Sequence, residues 1–329
     1  MFRSMLFLFV FLSSLAAETL PGFKQNTRYG EQTKHFFILE DVEVLINAPG
    51  RDSLQREKET LLIFYACPAG NTIAQTAGKL LSEGDDWHYD IQHIAAQTRF
   101  LRQAMKNRNI VTVYLQNSDA SWSRYDDKHP QDYRERIQGM VGEVLEIFNG
   151  FHCRICLNGH SAGGSWVLGY LSAVDTIPAN IDRIVFIDSN YNYKYNADRY
   201  DRLFAEFLTK RDSTYLCVLA YNDNLALYHG KSVVSPEGGT WWNTQLMKVR
   251  LGKTMNFTAE EREYLTAYRA LNGRVQIWLK ENPFREILHT TQVYRNGFIH
   301  SILCGTKYDE LAYQYYGPPV YEAYIYPGK

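Results

Sequence analysis

The sequence predicts an α/β protein built on a mostly parallel central sheet with helices on both faces. Short apolar runs that suit buried strands alternate with segments whose apolar residues recur at helical spacing. Several runs, such as 61–66, are apolar without interruption, as expected of a strand covered on both faces. A strand-like run, a glycine turn and a helix-like segment also follow one another at 154–171. Strand–helix alternation of this kind is typical of parallel sheets.

The individual elements follow from the same patterns, taken in chain order. The first two strands, 33–39 and 41–48, are expected to form a meander before the alternation begins. The later strand-like runs are 61–66, 110–115, 154–158, 183–187, 215–220 and 275–279. The helical spacing of apolar residues predicts helices within 91–101, 137–148 and 163–171.

Residues 18–329 are expected to form a single domain, since the sequence shows no internal repeat and no low-complexity linker. Two stretches interrupt the alternation, near 190–212 and 228–270, and the second includes a helix-like segment at 260–269. Both stretches follow strand ends at the same predicted edge of the sheet. Because long loops in compact domains usually have a function, we expect these insertions to form a small cap.

The first 17 residues have the features of a secretory signal peptide. Arg3 supplies a positive charge, 5–12 is continuously apolar, and 14–17 offers small residues for cleavage. The apolar run is too short to span a bilayer. We therefore expect a secreted or periplasmic protein with no stable membrane insertion once the signal is removed.

Composition disfavours some partners and suits others. The formal net charge of the 329 residues is -1, which favours neither nucleic acid nor an anionic membrane surface as a partner. Aromatic residues make up 14% and include 24 tyrosines, which suits binding of polar rings or glycans, although tyrosine also packs well at strand edges. No histidine pair has metal-ligand spacing in a helix, so neither a metal nor a cofactor is expected.

Cysteines occur at positions 67, 153, 156, 217 and 304, and an odd number in an exported chain leaves at least one thiol free. Cys153 and Cys156 have C-x-x-C spacing, but they precede a strand rather than a helix N-terminus that would stabilise a thiolate. We interpret both as core residues.

The strongest functional signal is the sequence Gly-His-Ser-Ala-Gly at 159–163, which fits the G-x-S-x-G nucleophile-elbow pattern. A strand before it and a helix after it would lift the hydroxyl of Ser161 above the sheet edge. The glycines permit the strained turn, and the N–H of Ala162 at the helix start can donate to a developing oxyanion. His160 is interpreted as elbow scaffolding or as a contact to neighbouring backbone. The alternative is a glycine- and serine-rich turn without chemistry.

With this elbow, the strand–helix order around it, and the acid and histidine candidates downstream, the chain resembles the α/β-hydrolase superfamily over about 33–309. The resemblance implies a catalytic triad in the chain order Ser, then Asp or Glu, then His. Serine needs a neighbouring base to take its proton, and a carboxylate must hold that base in the right tautomer.

The resemblance implies His300 as the base, since it follows a glycine turn after the last strand and leads into a short apolar helix. His289 also follows the last strand and is the alternative. For the acid, Asp223 ends the second strand after the elbow, where superfamily members most often carry it. Asp188 ends the first such strand and is the alternative acid. Either aspartate can instead be a helix cap or a turn residue.

The second oxyanion donor is expected in the loop after the strand at 61–66. Many superfamily members carry His-Gly there, whereas this chain has Cys-Pro-Ala-Gly-Asn at 67–71. Gly70 permits the required backbone geometry, so the N–H of Gly70 or of Asn71 is the candidate donor alongside Ala162.

Together these residues predict an exported serine hydrolase that cleaves carboxylic esters through an acyl-enzyme and needs no cofactor. The expected substrate is a small-molecule or glycan ester. An amidase or peptidase with the same triad is an alternative, because both reactions pass through a similar tetrahedral intermediate. A non-catalytic binding protein on the same fold is a second alternative, since a fold does not imply an activity.

Overall fold

A mixed sheet of 11 strands runs through the centre of the computed structural model, which describes residues 20–85, 87 and 91–326. In chain order the strands are β1 (Lys24–Asn26), β2 (Glu31–Ile38), β3 (Val42–Pro49), β4 (Thr60–Ala66), β5 (Asn109–Asn117), β6 (Cys153–His160), β7 (Ile181–Ile187), β8 (Tyr215–Tyr221), β9 (Leu227–Tyr228), β10 (Lys231–Ser232), β11 (Thr258–Arg262), β12 (Leu265–Ala270) and β13 (Val275–Lys280). Strands β9 and β10 pair with each other as a separate hairpin.

The order of strands across the sheet is β1-β2-β3-β5-β4-β6-β7-β8-β13-β12-β11. From β5 to β13 in this order all neighbours pair in parallel, and antiparallel strands extend both edges. The carboxyl ends of the parallel strands therefore meet at one edge of the sheet, where ligands bind in open α/β sheets. The predicted α/β class is confirmed, and the strand–turn–helix at Ser161 is the arrangement of the α/β-hydrolase fold.

Helices cover both faces of the sheet. In chain order they are α1 (Ile73–Ala77), α2 (Ile94–Ala104), α3 (Trp122–Lys128), α4 (Tyr133–Ile147), α5 (Gly163–Ser172), α6 (Ala197–Thr209), α7 (Gly239–Leu251) and α8 (Phe298–Leu303). Side chains of β4 alternate between two buried clusters, with Leu62 and Phe64 in one and Leu61 and Ile63 in the other. The first cluster includes residues of α4 to α7, and the second includes residues of α2 and α8. Burial on both faces explains the uninterrupted apolar sequence of β4.

The prediction of a helix-like segment at 260–269 is wrong. The segment lies in the antiparallel strands β11 and β12, and β12 pairs with β13. Ala267 lies opposite Trp278 of β13, while Arg262 and Arg269 place their guanidinium groups 4.8 and 5.0 Å from the Trp278 ring centroid. Two arginines of the segment therefore cover an aromatic side chain of the sheet instead of lying on the exposed face of a helix.

The two stretches expected to form cap insertions supply elements of the main fold. The stretch near 190–212 contains α6, which connects β7 to β8, and Phe204 on α6 is fully buried. The stretch near 228–270 contains α7, β11 and β12, and Met247 on α7 is fully buried. Both helices contribute to the same buried cluster on one face of the sheet.

The predicted signal peptide, residues 1–17, lies outside the described residues. None of the described helices is both long and apolar enough to cross a bilayer. Export of the protein therefore stays a prediction from the N-terminal sequence.

Candidate active site

Ser161 lies on a sharp turn between a strand and a helix. β6 ends at His160 and α5 begins at Gly163, so that Ser161 and Ala162 alone form the connection. The φ of Ser161 is 55°, in the left-handed region that residues other than glycine rarely adopt. Its N–H donates to the Ile187 carbonyl at the end of β7, 3.3 Å away. This strained conformation places the half-buried serine at the carboxyl edge of the sheet.

Two glycines of α5 make the turn possible, because a side chain at either position would meet a neighbouring backbone. A Cβ on Gly163 would lie 2.1 Å from the Ala66 carbonyl oxygen at the end of β4. A Cβ on Gly164 would lie 1.7 Å from the carbonyl oxygen of Ser189. Neither oxygen can move away without displacing the end of a strand or the chain that follows it, so this close approach favours glycine at both positions.

A histidine and a buried aspartate meet at the same edge of the sheet. His289, in the loop after β13, donates its Nδ1–H to Oδ2 of Asp188, since an ionised carboxylate can only accept. Asp188 directly follows β7 and is fully buried, whereas the His289 side chain is 23% exposed. The Asp188 N–H donates to the Leu219 carbonyl on β8, 2.7 Å away, which fixes the aspartate between two strands. The structure thus brings together the alternative acid and the alternative base.

His160 connects this pair to the nucleophile elbow. Its Nε2 lies 3.1 Å from the His289 carbonyl oxygen, and the centroids of the two rings are 4.5 Å apart. Burial and the neighbouring His289 lower the pKa of His160 well below its usual value, so its ring is neutral and Nε2 carries the donated proton. Because His160 directly precedes Ser161, this bond holds the His289 loop against the elbow. The interpretation of His160 as a contact to neighbouring backbone is confirmed.

Asp223 is bonded to a helix rather than to a histidine. Its carboxylate accepts the N–H groups of Thr240 at 2.7 Å and of Trp241 at 3.2 Å, in the first turn of α7. The Thr240 hydroxyl in turn donates to Asp188 and lies 3.3 Å from Asp223. Burial and the charge of Asp188 raise the pKa of Asp223 to about 7. Asp223 therefore caps α7, and the Thr240 hydroxyl group lies between it and Asp188.

His300 lies in a packed helix, away from the contacts that a base for Asp223 would need. It is fully buried in α8, with its ring stacked on Tyr315 at 4.9 Å and its Nδ1 3.0 Å from the Tyr313 hydroxyl. Burial lowers the pKa of its imidazole to about 3. Among the described contacts, the expected hydrogen bond between Asp223 and His300 is absent. The apolar neighbours of His300 in Phe298–Leu303 were the sequence signal for this burial.

The candidate oxyanion donors have different surroundings. Ala162 precedes the first residue of α5, where N–H groups have no partner within the helix and attract negative charge. The N–H of Gly70 donates to the Ala120 carbonyl at 3.0 Å, so it is not free to bind an oxyanion. Asn71 precedes Thr72, which caps α1. Its N–H stays the predicted second donor.

A cleft of about 500 Å³ opens beside Asp223 and Thr240. Its lining includes the indole rings of Trp241 and Trp242 at the start of α7, together with Leu225 and Val234. Polar side chains also line the cleft, from Asn222, Asn224, Ser232 and Gln245. Because Trp241 directly follows Thr240, the cleft adjoins the polar contacts behind Asp188.

One group of described side chains has the composition of a metal site. A ring nitrogen of His300 and the sulfurs of Cys217 and Cys304 all lie within 4.8 Å of one another, and soft metals bind such ligands. Burial disfavours a thiolate here, but the hydrogen bond from Cys217 and the charge of Arg183 lower the pKa of Cys304. Arg183 also donates to the Cys304 sulfur at 3.1 Å. The buried guanidinium of Arg183 thus already supplies a positive charge beside the Cys304 sulfur, and we assign no metal to this cluster.

No protein-family model matches the chain, and no curated protein matches it. Among solved structures, a thermostable esterase is similar to this chain at 11% sequence identity and a TM-score of 0.48. The alignment covers 84% of this chain and 63% of that esterase. The feruloyl esterase module from Clostridium thermocellum shares 7% identity at a TM-score of 0.40, with 69% of this chain and 75% of that one covered. An S-formylglutathione hydrolase from Agrobacterium tumefaciens shares 10% identity at a TM-score of 0.36, with 68% and 85% covered. Similarities this low carry no inference about activity.

Proposed function

We propose that the protein is a serine hydrolase of carboxylic esters in which Ser161, Asp188 and His289 form the catalytic triad. The observation that carries the proposal is the His289–Asp188 hydrogen bond, held against the left-handed turn at Ser161 by the His160 contact. A histidine whose one nitrogen is fixed by a buried carboxylate keeps the other nitrogen free to accept a proton. The chain order Ser, Asp, His is also the one expected with a nucleophile elbow.

In the proposed mechanism, Nε2 of His289 takes the Ser161 proton as the serine oxygen bonds to the acyl carbon. Buried Asp188 stabilises the imidazolium that forms. The N–H of Ala162, aided by the positive end of α5, stabilises the oxyanion of the tetrahedral intermediate. His289 then returns the proton to the leaving alcohol, and water releases the acyl group with the same histidine as base.

The proposed substrate is a small-molecule or glycan ester met outside the cytoplasm, after export directed by residues 1–17. The cleft at the start of α7 supports this class of substrate, because the indole rings of Trp241 and Trp242 in its lining suit stacking with sugar or aromatic rings. Leu225 and Val234 add apolar surface that an acyl chain can cover. Export itself rests on the N-terminal sequence.

Covalent labelling by a fluorophosphonate probe, followed by mass spectrometry, tests the nucleophile directly. We expect one label on Ser161 in the full chain, and none in Ser161→Ala. Hydrolysis of p-nitrophenyl esters should fall by about 10⁴–10⁶-fold in kcat in Ser161→Ala and in His289→Gln. The matched control is His229→Gln, which changes an exposed histidine and should leave turnover unchanged.

Three results would contradict the proposal in different ways. An unlabelled, inactive wild-type protein with a bound ligand would favour a binding protein on this fold. Turnover of p-nitroanilides in preference to esters would favour an amidase or peptidase. Loss of activity in folded His300→Gln, with normal activity in His289→Gln, would return the base to His300.

A further inference from the structure

Two buried carboxylates lie on either side of one threonine behind the proposed triad. Asp188 and Asp223 follow the neighbouring strands β7 and β8, and their exposures are 0% and 2%. The hydroxyl of Thr240 donates to Oδ1 of Asp188 and lies 3.3 Å from Oδ2 of Asp223. Asp188 uses its second oxygen to accept from His289. A continuous line of polar contacts therefore runs from His289 through Asp188 and Thr240 to Asp223.

The number of protons along this line of contacts determines whether Asp223 can hydrogen-bond to Thr240. Thr240 has a single hydroxyl proton, which it donates to Asp188. The Thr240 hydroxyl can share this proton with Oδ2 of Asp223, 3.3 Å away, but a full hydrogen bond to each aspartate requires that Asp223 is protonated and donates to Thr240. When Asp223 is ionised, a second negative charge lies close to Asp188, and the two carboxylates share the one threonine proton.

The start of α7 is shaped around the Asp223 carboxyl group. Gly239 has a φ of 77°, and a Cβ there would lie 2.3 Å from Oδ2 of Asp223, so glycine is required for this close approach. The N–H groups of Thr240 and Trp241 bind the two carboxylate oxygens. These bonds favour the ionised form of Asp223, but burial and the charge of Asp188 outweigh them.

Apart from His289, the titratable side chains that face the two carboxylates among the described residues are phenols. Tyr191 and Tyr221 face both aspartates, and Tyr315 faces Asp188. Burial raises the pKa of all three phenols, so they stay neutral across the pH range of ester hydrolysis. His289 is the ionisable group that hydrogen-bonds Asp188 in the described part of the chain.

We propose that Asp223 and Thr240 are positioning residues for Asp188, and that the protonation state of Asp223 regulates the basicity of His289. This inference rests on the proposed function. With Asp223 protonated, it donates to Thr240, which donates to Asp188, so one negative charge is shared behind the histidine. With Asp223 ionised, the added negative charge favours the imidazolium form of His289. Burial and Asp188 raise the pKa of Asp223 to about 7, so its charge changes near neutral pH.

The test is the pH profile of kcat/KM for a p-nitrophenyl ester, measured on variants of the full chain. Asp223→Asn keeps the shape but removes both the proton and the charge. We expect the acid limb of its profile to move to lower pH by roughly one unit, as for the loss of a nearby opposite charge. Thr240→Val removes the bridging hydroxyl and should lower kcat about tenfold at unchanged KM, and Thr240→Ser should restore it.

The matched control is Thr244→Val, one turn along the same helix. This change removes a buried hydroxyl that accepts from the Asn190 side chain at 3.0 Å. It should reduce stability by an amount similar to that of Thr240→Val and leave the pH profile unchanged. A purely structural role for Thr240 predicts the same profile for both valine variants.

A second measurement does not depend on activity. The folded-state pKa of Asp223, about 7, lies above the value of about 3.9 for an unfolded aspartate, so the native state binds the proton more tightly. The free energy of unfolding should therefore fall as pH rises from about 4 to about 7, and Asp223→Asn should flatten this fall. Urea denaturation at stepped pH measures the slope.

Superimposable pH profiles for wild type and folded Asp223→Asn would overturn the inference, because Asp223 would then only cap α7. Failure of the proposed function looks different. In that case Ser161 is not labelled, or His289→Gln retains full turnover, whatever the Asp223 variants do.

Discussion

Replacing Asp188 with asparagine should slow the reaction without unfolding the protein. The asparagine keeps the shape of the aspartate, and its carbonyl oxygen can still accept from Nδ1 of His289. Its amide then faces Thr240, whose hydroxyl can accept from the amide and turn its own proton towards Asp223, 3.3 Å away. The correct tautomer of His289 is retained, and the negative charge is what the variant loses.

The size of the effect follows from that lost charge. An adjacent opposite charge shifts a pKa by about 1–3 units, or about 1.4–4 kcal/mol of imidazolium stabilisation. Because Asp188 is fully buried, the upper part of this range applies. We expect kcat of Asp188→Asn to fall about 10²–10³-fold, less than the roughly 10⁴-fold loss seen where asparagine enforces the wrong tautomer.

Steady-state hydrolysis of a p-nitrophenyl ester and thermal melting measure the two parts of this prediction. The melting temperature should move by less than about 3 °C, the shift that about 1 kcal/mol produces in a large domain. The control is Asp182→Asn, which removes a buried aspartate of β7 that pairs with Arg108 at 3.0 Å. That variant should lose stability and keep its kcat. Unchanged turnover in Asp188→Asn would refute the assignment of the acid.

Two further predictions concern the support of the site and of the fold. Gly164→Ala should lower the free energy of unfolding by about 1–3 kcal/mol and remove most of the activity, since its Cβ would lie 1.7 Å from a backbone oxygen. The control is Gly142→Ala on α4, where the new Cβ has nothing within 4 Å and activity should be kept. Equal effects of the two variants in thermal melts and activity assays would contradict this prediction. Glu31→Gln should cost about 3–5 kcal/mol in urea denaturation at neutral pH, because it leaves the buried Arg99 without an opposite charge. Glu206→Gln, which breaks an exposed pair with Lys210, should have no measurable effect. Burial opposes the charge of Glu31, but Arg99 lowers its pKa, so its contribution is present above about pH 4.5 and lost as pH falls through the folded-state value.

The central strands were predictable because burial on both faces leaves little choice of residue type. The run at 61–66 became β4, and the strand before the elbow became β6. The segment at 260–269 was mistaken for a helix, because its charged residues, at 260–263 and 269, do not distinguish an exposed helix from an edge strand. Its true conformation depends on pairing with β13, a contact with residues further along the chain that local spacing does not encode.

The proposal of His289 rather than His300 as the base depends on accessibility. A base for a half-buried serine must reach solvent and substrate, and the His289 side chain is 23% exposed while that of His300 is fully buried. The sequence held a usable hint, since Phe298–Leu303 is an almost continuous apolar helix around His300. Position relative to the last strand does not distinguish the two candidate bases, because both histidines follow β13.

The two aspartates could not be separated by sequence position, because each follows a parallel strand at the same edge of the sheet. What distinguishes them is the donor that each one faces. Asp188 faces a ring N–H, which gains from a full negative charge, whereas Asp223 faces the first turn of α7 and a threonine hydroxyl. A carboxylate at a helix N-terminus is normally favoured in its ionised form. Here burial and Asp188 outweigh the helix and raise the pKa of Asp223 to about 7, so the carboxyl group of Asp223 is mainly protonated below that pH.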